Sequence, residues 1–337
     1  MNNNTLENRF NGALLGLAIG DALGAPVEFH KPGDFEPVTD FQKAVQFNIP
    51  PGYWTDDTSM ALCLAYSLLE KEEFDPVDQI EKYRKWAFEG YCSSDGGKEA
   101  FDVGNTVAKA LYNYREGSEP YTWAGNFQQN DGNGSLMRIA PIALFFRNDQ
   151  AEAMRCARLS SKVTHRSELA ADACAYFTGL IIGAIHGASK EELLSELYAP
   201  DQIPNFWKDN TLAKEIELVA RGSFKQKNPP EIKGSGYVVE SLEAALWAFY
   251  NSETFEEGVL LAVNLGYDAD TTGAIYGQLA GAYYGIENIP DKWRYHVAKK
   301  NKINEISKKL FHHTNKGFLE ALNASEKDWH DTLCGKK

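Results

Sequence analysis

The residues Asp268-Ala-Asp-Thr-Thr272 place two carboxylates and two hydroxyls in five positions, directly ahead of a stretch of small and apolar residues. One Asp and one Thr at such a place are ordinary helix-start residues, because their oxygens accept from unpaired backbone N–H groups. Two carboxylates two residues apart repel each other unless a cation lies between them. A second cluster, Trp54-Thr-Asp-Asp-Thr-Ser-Met60, repeats the pattern ahead of another apolar run. Each cluster alone serves as a helix cap. Together, two oxygen-rich helix starts are what a composite metal site needs, provided the fold unites them.

The ligands on offer are Thr55, Asp56, Asp57, Asp268, Asp270 and Thr271, all oxygen donors. Neither cluster contains His or Cys, which disfavours zinc and suits Mg²⁺ or Mn²⁺. Their four carboxylates match the charge of two divalent ions, a familiar hydrolytic pairing. Asp268, Asp270 and Gly273 also begin like a calcium-binding EF-hand loop, but its twelfth position, a bidentate Glu in that motif, is Leu279. Asp268-Ala-Asp-Thr-Thr272 further matches an aspartate-nucleophile phosphatase signature, which requires a strand ahead of it where this sequence reads as helix.

Helices must carry these clusters, because strictly alternating apolar runs are nearly absent. The pattern predicts helices over 10–24, 58–71, 76–90, 98–116, 137–147, 149–161, 166–187, 189–197, 211–221, 238–251, 254–264 and 271–285. Glycines recur every fourth residue at 12, 16, 20 and 24, at 179, 183 and 187, and at 273, 277, 281 and 285. Glycine inside a helix costs roughly 1 kcal/mol against alanine, so these stripes predict close backbone approach in a tightly packed helical core. Residues 30–54 read as a long ordered loop, and 198–237 as a surface excursion rather than a linker. The expectation is one all-α domain over residues 1–337, with a core at about 10–285 and terminal helices over 286–330.

The net charge of −13 argues against a nucleic-acid or anionic-membrane partner. The five cysteines are scattered without C-x-x-C pairing, which fits buried thiols in a reducing compartment. No apolar run reads as long enough to span a membrane, and no signal peptide is apparent. The expected location is the cytoplasm and the expected state a monomer.

Gly12-Ala-Leu-Leu-Gly-Leu-Ala-Ile-Gly-Asp-Ala-Leu-Gly24, Trp54-Thr-Asp-Asp-Thr58, Asp102-Val-Gly-Asn-Thr106, Gly132-Asn-Gly-Ser-Leu-Met-Arg138, Thr164-His165, Gly236-Tyr237 and Asp268-Ala-Asp-Thr-Thr272 follow one another in that order. This series resembles the ADP-ribosylglycohydrolase family. The resemblance implies an all-helical fold, a binuclear magnesium or manganese centre, and hydrolysis of the bond between ADP-ribose and a protein side chain, commonly arginine. It assigns the metal ligands to Thr55, Asp56, Asp57, Asp268, Asp270 and Thr271. It places the catalytic acid or base at Glu28 or Asp102. Gly104, Asn105, Gly132, Asn133, Gly134, Ser135, Met137, His165 and Tyr237 fall on positions around the ADP-ribose cleft. Tyr267 departs from the family pattern, which has a small or acidic residue there, and sets a ring at the metal rim. Serine, a nucleic-acid base and O-acetyl-ADP-ribose are alternative leaving groups. A binding or toxin-neutralising protein is the alternative without turnover, against which all six ligand positions stand intact.

Overall fold

The structure is a computed structural model and describes residues 3–125 and 131–313. In chain order its helices are α1 Asn3–Gly24, α2 Asp56–Lys71, α3 Pro76–Glu89, α4 Asn105–Asn113, α5 Ala140–Phe145, α6 Gln150–Lys162, α7 Glu168–His186, α8 Lys190–Leu193, α9 Phe206–Asp209, α10 Lys214–Ala220, α11 Val238–Tyr250, α12 Phe255–Val263, α13 Ala269–Tyr284 and α14 Asp291–Arg294. A last helix covers 300–313, and the remainder of the expected terminal region, 314–330, lies outside the described residues. Extended pairing among the described residues is limited to the isolated bridges Ala44–Ile49 and Gly132–Tyr237. The all-α expectation holds.

The architecture grows from the antiparallel contact of α1 with α13. A Cβ on Gly12 would lie 2.1 Å from the Gly281 carbonyl oxygen, on Gly16 2.4 Å from that of Gly277, and on Gly20 2.0 Å from that of Gly273. Gly24 meets Ala269 in the same way, at 2.3 Å. Backbone thus packs on backbone along the whole seam, which only hydrogen side chains allow. The third stripe differs from the expectation. A Cβ on Gly183 would lie 2.1 Å from the Tyr198 hydroxyl and on Gly179 3.2 Å from Met154 Sδ, so α7 uses glycine to admit side chains.

Because the two helices run in opposite directions, the end of α1 meets the start of α13. Asp21 and the following Glu28 are thereby brought to Asp268 and Asp270. The start of α2 is added by Asp21, whose carboxylate accepts from Thr55 N–H at 2.8 Å and Thr58 N–H at 3.0 Å. The long loop is pinned rather than loose: Asn264 bonds both backbone groups of Val38, at 2.7 and 3.0 Å, and Trp293 Nε1 donates to Asp40 at 2.9 Å.

Two corrections concern helices. The expected 98–116 helix begins only at Asn105, since Asp102 adopts a left-handed backbone with φ of 55°. Two segments do reach membrane-spanning length, Thr5–Val27 and Glu168–His186, with mean hydropathy 1.3 and 1.4. Each has 89% of its apolar window buried against the rest of the protein, so their apolarity serves the core. Cys63, Cys92, Cys156 and Cys174 are buried free thiols, while Cys334 lies outside the described residues.

Candidate active site

Several helix starts elsewhere, those of α3, α6, α7, α8 and α12, carry ordinary side-chain caps. Asp75 accepts from Val77 N–H and Asp78 N–H ahead of α3, and Thr254 and Glu257 form a reciprocal capping box on α12. The starts of α2 and α13 are different. Neither Thr55 nor Asp268 makes a side-chain capping bond. The acidic residues turn toward one another instead, which rules against the capping explanation of both clusters.

Thr55 Oγ1 lies 2.9 Å from Asp21, 3.2 Å from Asp57 and 3.2 Å from Asp270, and its single hydrogen can serve only one of them. Carboxylate oxygens of Asp21, Asp57 and Asp270 lie within 4.8 Å of one another, as do those of Glu28, Asp102 and Asp270. Asp270 therefore belongs to both groups. Asp57 Oδ1 and Glu28 Oε2 are buried without a hydrogen-bond partner. Burial, followed by repulsion from neighbouring carboxylates, raises the protonation range of Glu28, Asp56, Asp57 and Asp270 far above that of a free carboxylate. Burial likewise raises Asp268, and lifts Asp102 to about 7. A crowd of buried and half-buried acids with orphaned oxygens, and with no paired base among the described residues, fits hard divalent cations.

A cavity of about 700 Å³ opens over this cluster. Glu28, Asp56, Asp102, Asp268, Asp270 and Thr271 face it, together with Gly104, Asn105, Gly132, Asn133, Gly134, Met137 and His165. Thr55 and Asp57 are buried and lie outside its lining. Asn133 ties the glycine-rich turn to the acids, since its Nδ2 donates to Asp268 at 2.6 Å and to Ser241 Oγ at 3.0 Å. Ser135 is buried behind the turn and outside the cavity lining, its hydroxyl 2.8 Å from that of Ser161. Tyr237 pairs its backbone with Gly132 but is absent from the lining, where Ser235 and Gly236 stand instead.

Sequence reasoning missed Asp21 and Phe29. Asp21 is fully buried and accepts four hydrogen bonds, from the N–H and hydroxyl of Thr55 and of Thr58. Its signal was present as an acid inside an otherwise apolar glycine helix. Phe29 and Tyr267 flank the acids at the cavity rim, both left-handed, with φ of 68° and 56°. They are locked by paired backbone bonds, Phe29 N–H to the Tyr267 carbonyl and Tyr267 N–H to the His30 carbonyl, each 2.6 Å. The Tyr267 ring thus borders the cavity while the acids beneath it stay buried. Left-handed aromatic residues cost about 1–3 kcal/mol each and concentrate at functional sites.

The ADP-ribosylglycohydrolase family model matches residues 2–318. The chain belongs to this family. It is 39% identical over 305 residues to the ADP-ribosylarginine hydrolase Tri1 of Pseudomonas putida (strain GB-1), covering 90% of this chain and 78% of that one. It is 30% identical over 293 residues to the ADP-ribosyl-[dinitrogen reductase] glycohydrolase of Rhodospirillum rubrum, covering 86% and 90% respectively. Among solved structures it resembles an ADP-ribosylglycohydrolase-related protein complex, with TM-score 0.79, 38% identity and coverage of 92% of this chain and 99% of that one.

Proposed function

We propose that the protein hydrolyses the N-glycosidic bond between ADP-ribose and an arginine side chain of a modified protein, and so reverses mono-ADP-ribosylation. The observation that carries this reading is the meeting of two acidic helix starts over one cavity, with no basic partner among the described residues, in a chain 39% identical to an ADP-ribosylarginine hydrolase. Thr55, Asp56, Asp57, Asp268, Asp270 and Thr271 are the residues that would hold two divalent ions, Mg²⁺ or Mn²⁺. Such ions supply charge neutralisation and Lewis-acid orientation of ribose hydroxyls and of a water.

The chain's own groups do the rest. Asp21 holds Thr55 and Thr58 through four bonds and so fixes the start of α2 beside α13. Asn133 orients Asp268 and couples it to the turn at 131–135, whose backbone N–H groups suit a diphosphate. Glu28 and Asp102 share the proton work at their carboxylate oxygens. One accepts a proton from the attacking water and the other returns one to the departing guanidine nitrogen. The reading includes a monomeric cytoplasmic enzyme whose partner is an ADP-ribosylated protein. With a net charge of −13, neither nucleic acid nor an anionic membrane suits it as a partner.

The test offers ADP-ribosylarginine and ADP-ribosylserine to the protein in Mg²⁺ and follows release of ADP-ribose. Rapid turnover of the arginine conjugate with little of the serine conjugate is expected. Preference for serine would replace the leaving group, and tight ADP-ribose binding without turnover of either would turn the reading to a binding protein.

A further inference from the structure

His165 lines the cavity outside both acidic clusters and is 1% exposed. Its Nδ1 lies 2.8 Å from Thr164 Oγ1. That oxygen also accepts a hydrogen bond from Arg138 Nη2 at 2.6 Å. Arginine only donates, so the contact occupies a lone pair of Thr164 and leaves its hydroxyl hydrogen free to be donated. Nδ1 is the acceptor it meets. If Nδ1 carried the proton instead, Thr164 would accept twice and strand its own hydrogen in the interior, which is unfavourable. The chain of donors therefore runs from Arg138 to Thr164 to His165, and the ring proton resides on Nε2.

The source of this relay is unusual. Arg138 is fully buried, and among the described residues the polar contacts of its guanidinium are Thr164 Oγ1 and Met60 Sδ rather than a carboxylate. Its guanidinium lies over the Tyr83 ring at 4.5 Å, with Nη1 3.6 Å from Met60 Sδ and Nε unpartnered. Burial and then the nearby Arg138 charge push the His165 protonation range down to about 3, so the ring is neutral at any working pH. At its other end, Nε2 looks toward the glycine-rich turn. A Cβ on Gly134 would lie 3.3 Å from Nε2 and 3.1 Å from Cε1, and one on Gly132 3.5 Å from Nε2. The two glycines keep the nitrogen uncovered.

We propose that Arg138 and Thr164 are positioning residues that lock His165 in its Nε2–H tautomer, making it a fixed neutral donor to a diphosphate oxygen of ADP-ribose lying along the 131–135 turn. The identity of the acceptor rests on the proposed function, whereas the tautomer lock does not. Placing the charge at Arg138, two groups away, gives the cavity a donor aligned by a cation while the residue at the ligand stays uncharged.

The experiment measures the ring ¹⁵N resonances of His165 in the ligand-free protein between pH 5 and 8, assigned by their disappearance in His165→Gln. Calorimetric titration with ADP-ribose accompanies it. In the unaltered protein Nε2 should be protonated and Nδ1 bare across the range. Thr164→Val keeps the β-branched shape but removes the hydroxyl, so the ring should populate both tautomers and the ADP-ribose Kd should rise by the inverse of the remaining Nε2–H fraction, about twofold for equal populations. Thr164→Ser should restore both readouts. A proton on Nδ1 in the unaltered protein overturns the lock without any variant, as does a Thr164→Val protein that keeps both the tautomer and the affinity. Should the unaltered protein fail to bind ADP-ribose, the function reading fails while the resonances still decide the lock.

Discussion

Gly20→Ala probes the seam on which the site is built. The new Cβ would lie 2.0 Å from the Gly273 carbonyl oxygen and 2.3 Å from its carbon, where real Cβ contacts stay above 3.0 Å. Both obstacles are backbone in a helix, so α1 and α13 must part by about 1 Å, and overpacking of this kind costs about 1–3 kcal/mol. Alanine's helical advantage returns about 1 kcal/mol, and the rigid contact places the cost at the upper end, for a net loss of roughly 2 kcal/mol. For a chain of 337 residues that corresponds to a fall in Tm of roughly 3 °C. The adjacent Asp21 moves with α1, and a misplacement near 1 Å in a catalytic array costs about 10²-fold in rate. Thermal melting and turnover of ADP-ribosylarginine provide the assay. Gly104→Ala serves as the stability control, since its Cβ would enter open space at an ordinary φ of −55°. A Gly20→Ala protein that melts and turns over like the unaltered one would refute the account of the seam.

Other perturbations address the acids. In metal-free protein Asp21 and Asp102 are raised to about 6 and 7, mainly by burial. Their unfolded counterparts ionise near pH 4, so over the interval from about 4 to 7 the folded state binds more protons. Stability in EDTA should consequently fall as pH rises through that window, and Mg²⁺ should flatten the decline; a Tm that rises with pH in EDTA would contradict it. Asp102→Gly removes a half-buried acid and a left-handed non-glycine residue together, so it should gain about 1 kcal/mol in denaturant titration while losing most activity. Unchanged turnover would remove Asp102 from the proton work.

The chemistry was more legible than the scaffold's details. Acid spacing alone at 55–57 and 268–271 marked residues that the fold unites, because repulsion between neighbouring carboxylates is a local property that sequence displays. The glycine period showed that backbones touch, but not which helices pair, and the stripe in α7 admits Tyr198 and Met154 instead. Asp102 was named through the resemblance, but its setting was misread as helical, because the left-handed turn at 102 delays α4 until Asn105. Asp21 went unnoticed since its four partners arrive from a helix start more than thirty residues later. Ser235 and Gly236 enter the cavity only through pairing of their segment with the 131–133 turn, a contact that no local pattern encodes.

The central claim is that the two acidic clusters form one metal-dependent site, and a double-variant cycle on an arginine-modified protein substrate tests it most directly. Turnover would be followed after EDTA treatment, after Mg²⁺ or Mn²⁺ is restored, and in Asp57→Ala, Asp268→Ala and their combination. The account predicts that EDTA abolishes turnover and added metal restores it. It also predicts that each single variant loses most activity and the double loses little more, since groups acting as a unit are strongly non-additive. Turnover that persists in EDTA, or single losses that multiply in the double variant, would contradict the shared site.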